Sequence, residues 1–388
     1  MLDWNRGRGG AESHALRVRE GLLAAGDEVR LVVSSVGSAG DGLADYVAYG
    51  TEQRAAQALL QIANPLAAAT VRRAVREFRP DVAWVNMFAL QLSPAAVFAL
   101  GDVPRVLMVS DYKVICPQST KLLPEGTHCD LRAGLNCLRS GCLSVPRWLR
   151  DQPRYALIRR AVRGSDHVLA CSDWVREELA KEGIVSTSLP LPVAPTPTDF
   201  VRRPDRAPTL LYCGRLDHEK GIDLLLRAFA QVAPDFPGAR LRLAGQGPLR
   251  GELEGLATSL GIAADFLGFR DPVDLEREYA RAWALAVPSR WAEPLGLVAI
   301  EAVTRGLPAI VPSTGGLAEI VTPGTTGWHF TSGHVSHLAS CLHEALTHPH
   351  PIAHAAVIEA QSRYSLGTHT AGLRRVLQAA RTQCGQSG

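Results

Sequence analysis

Two basic side chains closely follow a predicted strand in the second half of the chain. The segment TLLYCGRLDHEKGIDLLLRAF runs from an apolar strand into Gly214 and begins a helix at Gly221. Arg215 and Lys220 lie in the turn between them. A guanidinium and an ammonium group beside a helix N-terminus, which carries partial positive charge, suit a diphosphate. Two solvated surface cations are the alternative, which the spacing alone would favour, and the glycines and the strand favour the anion site.

Two glutamates in RWAEPLGLVAIEAVTRGLP are separated by seven residues. If a helix begins at Leu295, Glu301 lies on its second turn, and Glu293 precedes the helix beside free amides. A carboxylate that faces vicinal hydroxyls accepts two hydrogen bonds, so Glu301 suits a ribose diol and Glu293 suits sugar hydroxyls. A pair of solvated glutamates on a helix surface is the alternative, and it would be favoured by the spacing alone.

A glycine pair precedes the first predicted helix, in NRGRGGAESHAL. Gly9 and Gly10 would let the backbone approach a phosphate closely at a helix N-terminus. The motif is not a complete G-x-G-x-x-G, so an ordinary turn is the alternative.

Short apolar runs alternate with amphipathic stretches, a pattern that predicts parallel sheets covered by helices on both faces. Helices are predicted over residues 11–25, 55–78 and 148–163 in the first half. The predicted strands are EVRLVVSS, DYVAYGT, DVAWVNM, PRVLMVS, DHVLACS, VSTSLPL, TLLYCG, ARLRLAG, ADFLGF, LAVPS and PAIVPS.

The length of 388 residues predicts two domains, at roughly 150 residues per domain. Six prolines within residues 189–208 predict an interdomain linker. Open α/β sheets bind ligands beyond the carboxyl ends of their strands, so two facing sheets would form a cleft lined by loops. We therefore expect an α/β fold whose functional residues lie on those loops.

The composition excludes several classes of protein. A formal net charge of +3 gives no overall field that would attract nucleic acid. Eight cysteines are too few for a disulfide scaffold, so we expect a cytoplasmic protein. The uncharged run over residues 82–101 contains Asn86, Gln91 and Pro94, and it predicts a strand and a helix rather than a spanning helix.

Four segments together resemble the retaining family 4 glycosyltransferases of the GT-B fold, within the glycosyl transferases group 1: GRLDHEKGIDLLLRAF, EPLGLVAIEA, GGLAEIVTPGTTGW and GGAE. The resemblance covers nearly the whole chain. It implies two Rossmann-like doubly wound domains facing a central cleft. Residues 1–192 would bind the acceptor, residues 193–365 would bind the nucleotide sugar, and a helix over residues 366–388 would cross back to the first domain.

The resemblance also implies roles for individual residues. Arg215 and Lys220 would bind the diphosphate and stabilise it as it leaves, Glu301 would hold the ribose, and Glu293 would contact the donor sugar. The sequence contains no Asp-x-Asp, so these cations rather than a divalent metal are expected on the diphosphate. The other implied donor contacts are Gly10, Gly214, Gly247, Phe269, Leu295 and Gly296.

The implied reaction is transfer of a sugar from a nucleotide-diphosphate sugar to a glycan or lipid-linked acceptor, as in polysaccharide assembly. A non-catalytic nucleotide-sugar-binding protein, and a nucleotide-sugar epimerase or phosphorylase on the same architecture, remain alternatives. Two departures from the family pattern matter. Most of the first strand expected before the GGAE loop is missing, so we expect a truncated first domain or an earlier start. Ser110 stands where many relatives carry histidine, which leaves Asp111 as the substitute catalytic candidate.

Two further segments have open interpretations. Four cysteines lie within 27 residues without a C-x-x-C spacing, so a structural zinc, unbound thiols and a labile disulfide are all possible. The arginine-rich segment over residues 146–163 predicts either peripheral contact with anionic lipid, at the inner membrane face, or an ordinary amphipathic helix. The cysteines are Cys116, Cys129, Cys137 and Cys142.

Overall fold

The computed structural model describes Met1, residues 10–36 and residues 44–385, which form two compact units. Unit 1 comprises the described residues up to Ser119, Asp130–Pro192 and the chain from Leu366 onward. Unit 2 comprises Thr120–Cys129 and Val193–Ser365. The boundary after Pro192 lies within the proline-rich stretch of residues 189–208.

The described strands are short, and every ladder between them is parallel. All eleven predicted strands form at their predicted places, and one further strand, the last, was not predicted. The strands are β1 (Val32–Ser34), β2 (Tyr46–Ala48), β3 (Ala83–Val85), β4 (Arg105–Val109), β5 (His167–Ala170), β6 (Thr187–Ser188), β7 (Thr209–Cys213), β8 (Arg240–Ala244), β9 (Ala264–Gly268), β10 (Ala284–Ala286), β11 (Ala309–Pro312) and β12 (Gly327–Phe330).

Helices connect most of these strands, and none of those described is long and apolar enough to cross a bilayer. The helices are α1 (Gly10–Ala24), α2 (Arg54–Leu60), α3 (Pro65–Phe78), α4 (Ser93–Phe98), α5 (Leu135–Arg139), α6 (Val145–Arg163), α7 (Asp173–Lys181), α8 (Ile222–Val232), α9 (Arg250–Leu260), α10 (Pro272–Arg281), α11 (Leu297–Thr304), α12 (Leu317–Ile320), α13 (Val335–Thr347), α14 (His354–Arg363) and α15 (Leu366–Gly385).

Unit 1 contains two sheets in its described part, β1-β2 and β3-β4-β5-β6. Strands β1 and β3 both contribute to the wall of a cavity of about 480 Å³. At β3, the amino group of Met1 donates to the carbonyl of Trp84 at 2.9 Å. Helix α15 belongs to this unit and packs against α1. Residues 2–9, which include Gly9, lie outside the described residues.

The prediction of a single helix over residues 55–78 is wrong, because this range is divided between α2 and α3. Pro65 has no amide hydrogen to continue α2, and it occupies the first position of α3. The Asn64 side chain caps α3 by accepting from the amide of Ala67 at 3.0 Å. Its Nδ2 donates to the carbonyls of Tyr49 and Gln91, both at 2.8 Å, so the break is fixed by buried polar contacts.

Unit 2 contains a single six-stranded sheet in the order β12-β11-β10-β7-β8-β9. The core around it includes Leu210, Leu225, Phe229 and Leu342. Strand β10 pairs in parallel with both β7 and β11. The loops that follow these three strands therefore emerge side by side at one edge of the sheet.

Candidate active site

The turn after β7 is tied to the loop after β10 at a glycine. Residues His218–Lys220 form one 3₁₀ turn, and Gly221, with φ of +65°, is the N-cap of α8. A Cβ at Gly221 would lie 2.2 Å from the carbonyl oxygen of Pro288, so only glycine fits without a backbone shift. The turn that carries Lys220 therefore lies directly against the end of β10.

Arg290 locks the same turn from the β10 side. Its guanidinium donates two hydrogen bonds to the carboxylate of Asp223 on α8, at 2.5 and 2.6 Å. Its backbone amide donates to the carbonyl of Glu219 at 2.9 Å. Burial alone would raise the pKa of Asp223, but the bonds from Arg290 outweigh it and hold that pKa below its usual value. Asp223 is therefore a carboxylate that fixes Arg290.

Lys220 and Glu293 are bonded directly to each other. The Nζ atom of Lys220 donates to Oε1 of Glu293 at 2.8 Å, and the Ser289 hydroxyl donates to the same oxygen. The Lys220 ammonium also lies 5.5 Å from the ring centroid of Trp291. The Glu293 side chain is only 8% exposed, so the pair is a partly buried, charge-assisted contact.

Arg215 lies on the solvent side of the same turn. Its side chain is 72% exposed and forms an ion pair with Asp217, which is 7% exposed. The Tyr212 hydroxyl donates to the Arg215 carbonyl at 2.6 Å and fixes the backbone there. Burial raises the pKa of Tyr212 well above its usual value, and the negative charge of Glu293 adds to this. Tyr212 therefore contacts the backbone of the turn that carries Arg215 and senses the charge of Glu293.

Glu301 lies on α11 and is held by one aromatic and one basic neighbour. The hydroxyl of Tyr279 donates to Oε2 of Glu301 at 2.9 Å, and the Arg305 guanidinium donates to the backbone carbonyl of Glu301 at 3.0 Å. Burial, and then the charge of Glu301, raise the pKa of the Cys213 thiol at the end of β7. The carboxylate of Glu301 is therefore close to the strand that leads into Arg215.

Helix α11 begins at Leu297, two residues later than predicted, because Gly296 turns the chain with φ of +104°. A Cβ at Gly296 would lie 2.3 Å from Leu317. Leu295 is buried beside this turn, and the amide of Gly316 donates to the carbonyl of Glu293 at 2.7 Å. The loop after β11 therefore supports the loop that carries Glu293.

The remaining predicted donor contacts in unit 2 follow strand ends of the same sheet. Gly214 directly follows β7, and its amide donates to the carbonyl of Ala244 at 3.0 Å. Gly247 lies between β8 and α9. Phe269 directly follows β9 and is 74% exposed. The carboxyl ends of β7, β8 and β9 therefore carry these residues, and their contact with a donor stays a prediction.

Two predicted site residues lie in unit 1. Gly10 is the first residue of α1. Asp111 follows β4, and its carboxylate accepts hydrogen bonds from the ammonium of Lys113 at 2.5 Å and from the Lys113 amide at 2.8 Å. The roles of both residues toward a donor sugar stay predictions.

The structure gives no support for the zinc site considered for the four cysteines. In the part of the chain that the structure describes, the one group of three Cys, His, Asp or Glu ligand atoms within 4.8 Å of one another contains no cysteine. The backbone holds Cys129 in a turn, where its amide donates to the carbonyl of Lys121 at 2.7 Å. Cys137 lies within α5, and the carbonyl of Cys142 accepts from the Gln118 side chain. Clustering along the sequence therefore does not produce a group of three or more metal ligands that contains a cysteine, among the described residues.

Two family models match most of the chain. Residues 198–363 match the model described as glycosyl transferases group 1, and residues 9–192 match a glycosyl transferase 4-like domain. The chain belongs to the group 1 glycosyltransferases.

The solved structures similar to this group 1 glycosyltransferase have the GT-B fold. Anabaena Alr3699/HepE, in complex with UDP and glucose, matches with a TM-score of 0.71 and 21% identity over 97% of this chain and 98% of that chain. Two α/β units with parallel Rossmann-like sheets are the corresponding architecture here. The fold predicted from the sequence is confirmed.

Two curated relatives come from Mycobacterium tuberculosis. A glycogen synthase is 29% identical over 290 residues, which are 71% of this chain and 62% of that protein. A GDP-mannose-dependent alpha-(1-6)-phosphatidylinositol dimannoside mannosyltransferase is 35% identical over 173 residues, 42% of this chain and 45% of that protein. The matches therefore span less than two thirds of the length of either relative.

Sequence reasoning about this group 1 glycosyltransferase missed the residues that hold the predicted ones in place. Ser289 and Arg290 follow β10 within a few residues, and position after a buried strand could have indicated them. Asp217 and Tyr279 gave no such signal, because their partners become neighbours only through the fold.

Proposed function

We propose that this chain transfers a sugar from a nucleoside diphosphate sugar to a hydroxyl of a glycan or lipid-linked acceptor, with retention of the anomeric configuration. Membership of the group 1 glycosyltransferases supports sugar transfer. The observation that carries the proposal is the direct bond between Lys220 and Glu293 at the carboxyl edge of the unit 2 sheet. We assign donor binding to unit 2 and acceptor binding to unit 1.

In this proposal the donor diphosphate binds at the turn after β7. Arg215 is exposed, so it can leave Asp217 for a phosphate oxygen with little loss of buried contacts. The N-termini of α8 and α11 add partial positive charge to the same edge. Glu301 accepts hydrogen bonds from the ribose hydroxyls, and Tyr279 fixes the orientation of its carboxylate.

Donor binding would exchange the partners of Lys220 and Glu293. The ammonium would move from the Glu293 carboxylate to a phosphate oxygen, and Glu293 would accept from hydroxyls of the donor sugar. Ser289 stays bonded to Glu293 and limits the reorientation of its side chain. Each charge would thereby gain a ligand group for the protein partner that it loses, so neither is left buried and unpaired.

The reaction breaks the bond between the anomeric carbon and the diphosphate oxygen, and the electron pair stays on the diphosphate. The acceptor oxygen bonds to the anomeric carbon on the same face, and its proton passes to the departing phosphate oxygen. Positive charge on Arg215 and Lys220 stabilises the diphosphate as its negative charge grows, which lowers the barrier. We propose that these two residues take the part that a divalent metal plays at Asp-x-Asp sites.

The nucleobase and sugar have two starting points for a screen. HepE was solved with UDP and glucose, and the mannosyltransferase named above depends on GDP-mannose. UDP-glucose and GDP-mannose are therefore the first donors to test by thermal shift, since a bound donor stabilises the folded protein by mass action.

Turnover separates transfer from the alternatives. The purified chain is mixed with each stabilising donor, with and without a panel of glycan and lipid-linked acceptors, and released nucleoside diphosphate is measured. Release that depends on the acceptor and is lost in Lys220→Ala supports transfer. Interconversion of the donor sugar without an acceptor would indicate an epimerase, and tight donor binding without any turnover would indicate a binding protein.

A further inference from the structure

Positive charge is concentrated in one segment of unit 1. Residues 131–163 contain eight arginines and one aspartate, a net charge of +7. The whole chain carries only +3, so the rest of the chain carries a net −4. This segment contains helices α5 and α6. The exposed residues of α5 and α6 are called the α5–α6 surface below.

The arginines at the C-terminal end of α6 have no acidic partner. Within the described chain, Arg159, Arg160 and Arg163 form no ion pair. They line one open depression together with Gln152. The one carboxylate of α6, on Asp151, is buried and already pairs with arginines of the first turns of the helix. The exposed end of α6 therefore presents several cations and no acid.

Apolar side chains are exposed at the other, N-terminal end of α6 and on α5. Leu135 on α5 is 55% exposed, and Val145 and Leu149 on α6 are 53% and 59% exposed. The indole of Trp148 donates to the carbonyl of Gly134 at 2.8 Å, which joins the N-terminal ends of the two helices. The exposed apolar groups therefore belong to one continuous surface.

The fold does not need these exposed apolar groups, because α6 buries a different face. Tyr155, Ile158 and Val162 on α6 are buried, and the helix packs against α4. Val145, Leu149 and Ala156 lie on the opposite, exposed face at helical spacing. The helix thus carries apolar side chains on two faces, and only those of the buried face pack into unit 1.

We infer that the α5–α6 surface binds an anionic lipid bilayer. Val145, Leu149, Arg160 and Arg163 lie along one face of α6, apolar at its N-terminal end and basic at its C-terminal end. Such a face matches a surface that has phosphate groups outside and hydrocarbon directly beneath. A soluble polyanion would leave Leu135, Val145 and Leu149 in water, and a zwitterionic bilayer has no net negative charge to attract the unpaired arginines. A bilayer rich in acidic lipid satisfies both sets of side chains.

The test is sedimentation of the full chain with vesicles of phosphatidylcholine, alone or mixed with phosphatidylglycerol, at low salt. Binding is expected for the mixed vesicles and not for pure phosphatidylcholine. The double variant Arg160→Gln/Arg163→Gln should lower the partition coefficient about thirtyfold, since each basic residue near an anionic surface contributes about fivefold. Leu149→Gln should lower the partition coefficient about tenfold, because it removes the apolar contribution.

Two matched variants control for general effects of charge and apolar area. Arg72→Gln/Arg76→Gln removes two exposed arginines from α3, and Leu59→Gln changes a side chain of α2 that is 72% exposed. Both helices belong to unit 1 but not to the α5–α6 surface. The partition coefficients of these two variants should therefore stay at the wild-type value. Thermal melting of each variant checks that it is folded.

Several results would overturn the inference. These are no sedimentation with either vesicle, equal sedimentation with both, or unchanged binding in the Arg160 and Arg163 variant. Competition by soluble polyphosphate, without any loss of binding in Leu149→Gln, would indicate a soluble polyanion instead. None of these measurements uses a sugar donor, so the inference can fail while the proposed glycosyltransferase function stands.

Discussion

The cations of unit 2 and those of the α5–α6 surface are held in different ways. Arg215 and Lys220 in the turn after β7, and Arg290 in the loop after β10, each pair with a carboxylate. At the end of α6, Arg159 and Arg160 pair with none among the described residues. Paired cations are positioned in advance and suit one small ligand that competes for them. Unpaired, exposed cations suit a broad anionic surface, where no exact position is required.

The largest effect is expected for Lys220→Ala. If the Lys220 charge stabilises the departing diphosphate, its loss should lower kcat about a hundredfold. Arg227→Ala is the matched control, because Arg227 is an exposed cation on the adjoining helix α8. Steady-state kinetics with the preferred donor measure both. If Lys220→Ala and Arg227→Ala had the same kcat, Lys220 would be no more important for turnover than an ordinary surface cation.

Glu301→Ala should raise the donor KM about thirtyfold, because the ribose would lose charge-assisted hydrogen bonds. Tyr279→Phe should raise it about fivefold, since only the bond that orients the carboxylate is lost. For each variant, the melting temperature is measured alone and with the donor. A lower melting temperature of the variant alone indicates lost stability, and a smaller increase on adding the donor indicates lost affinity. Unchanged donor affinity in Glu301→Ala would contradict the ribose assignment.

Acid should destabilise unit 1 through two buried histidines that have no acidic partner among the described residues. The His14 ring on α1 and the His369 ring on α15 lie 4.9 Å apart. Burial, and then the positive charges of His369 and Arg17, hold the pKa of His14 well below its usual value. Burial lowers the pKa of His369 from 6.5 to about 4. A lowered pKa means that the unfolded chain binds the proton first, so stability is complete above pH 6.5 and is lost as the pH falls toward about 4.

This shift corresponds to about 3 kcal/mol of unfolding free energy at most. Urea unfolding across that pH range should therefore show a smaller loss of stability in His369→Gln than in the wild-type chain. His354→Gln, at an exposed position on α14, should retain the wild-type pH dependence. Identical curves for all three proteins would show that His369 is not the group responsible.

The smallest effect is expected from metal removal. If Arg215 and Lys220 supply the positive charge at the diphosphate, treatment with EDTA should leave both kcat and the melting temperature unchanged. The rate is compared before treatment, after treatment and after addition of Mg²⁺. A rate that falls with EDTA and returns with Mg²⁺ would show that the two cations are not sufficient.

The sequence predicted most of the frame of the fold. Apolar runs marked eleven of the strands, because buried parallel strands are short and continuous in their hydrophobicity. Strand β12 was missed, since Gly327–Phe330 contains a glycine and a histidine and is only partly buried. The break between α2 and α3 was missed although Asn64 and Pro65 are local signals for a helix start.

The candidate site was predicted in its residue types but not in its pairings. Glycines, strand ends and the resemblance indicated Lys220, Glu293 and Glu301. The sequence could not show that Lys220 bonds to Glu293, which lies 73 positions away, or that Tyr279 holds Glu301. Such contacts depend on which strands become neighbours and on the register of each turn. The grouped cysteines are the converse case, because their proximity in sequence gives no group of three metal ligands in the part of the chain that the structure describes.

The most direct test of the account is a calorimetric titration with UDP, GDP and the two corresponding nucleosides, in the wild-type chain and in Lys220→Ala. The account predicts that one diphosphate binds about a hundredfold more tightly than its nucleoside, and that Lys220→Ala removes most of this difference. Equal affinity for nucleoside and diphosphate, or an unchanged difference in the variant, would contradict a diphosphate site at the turn after β7.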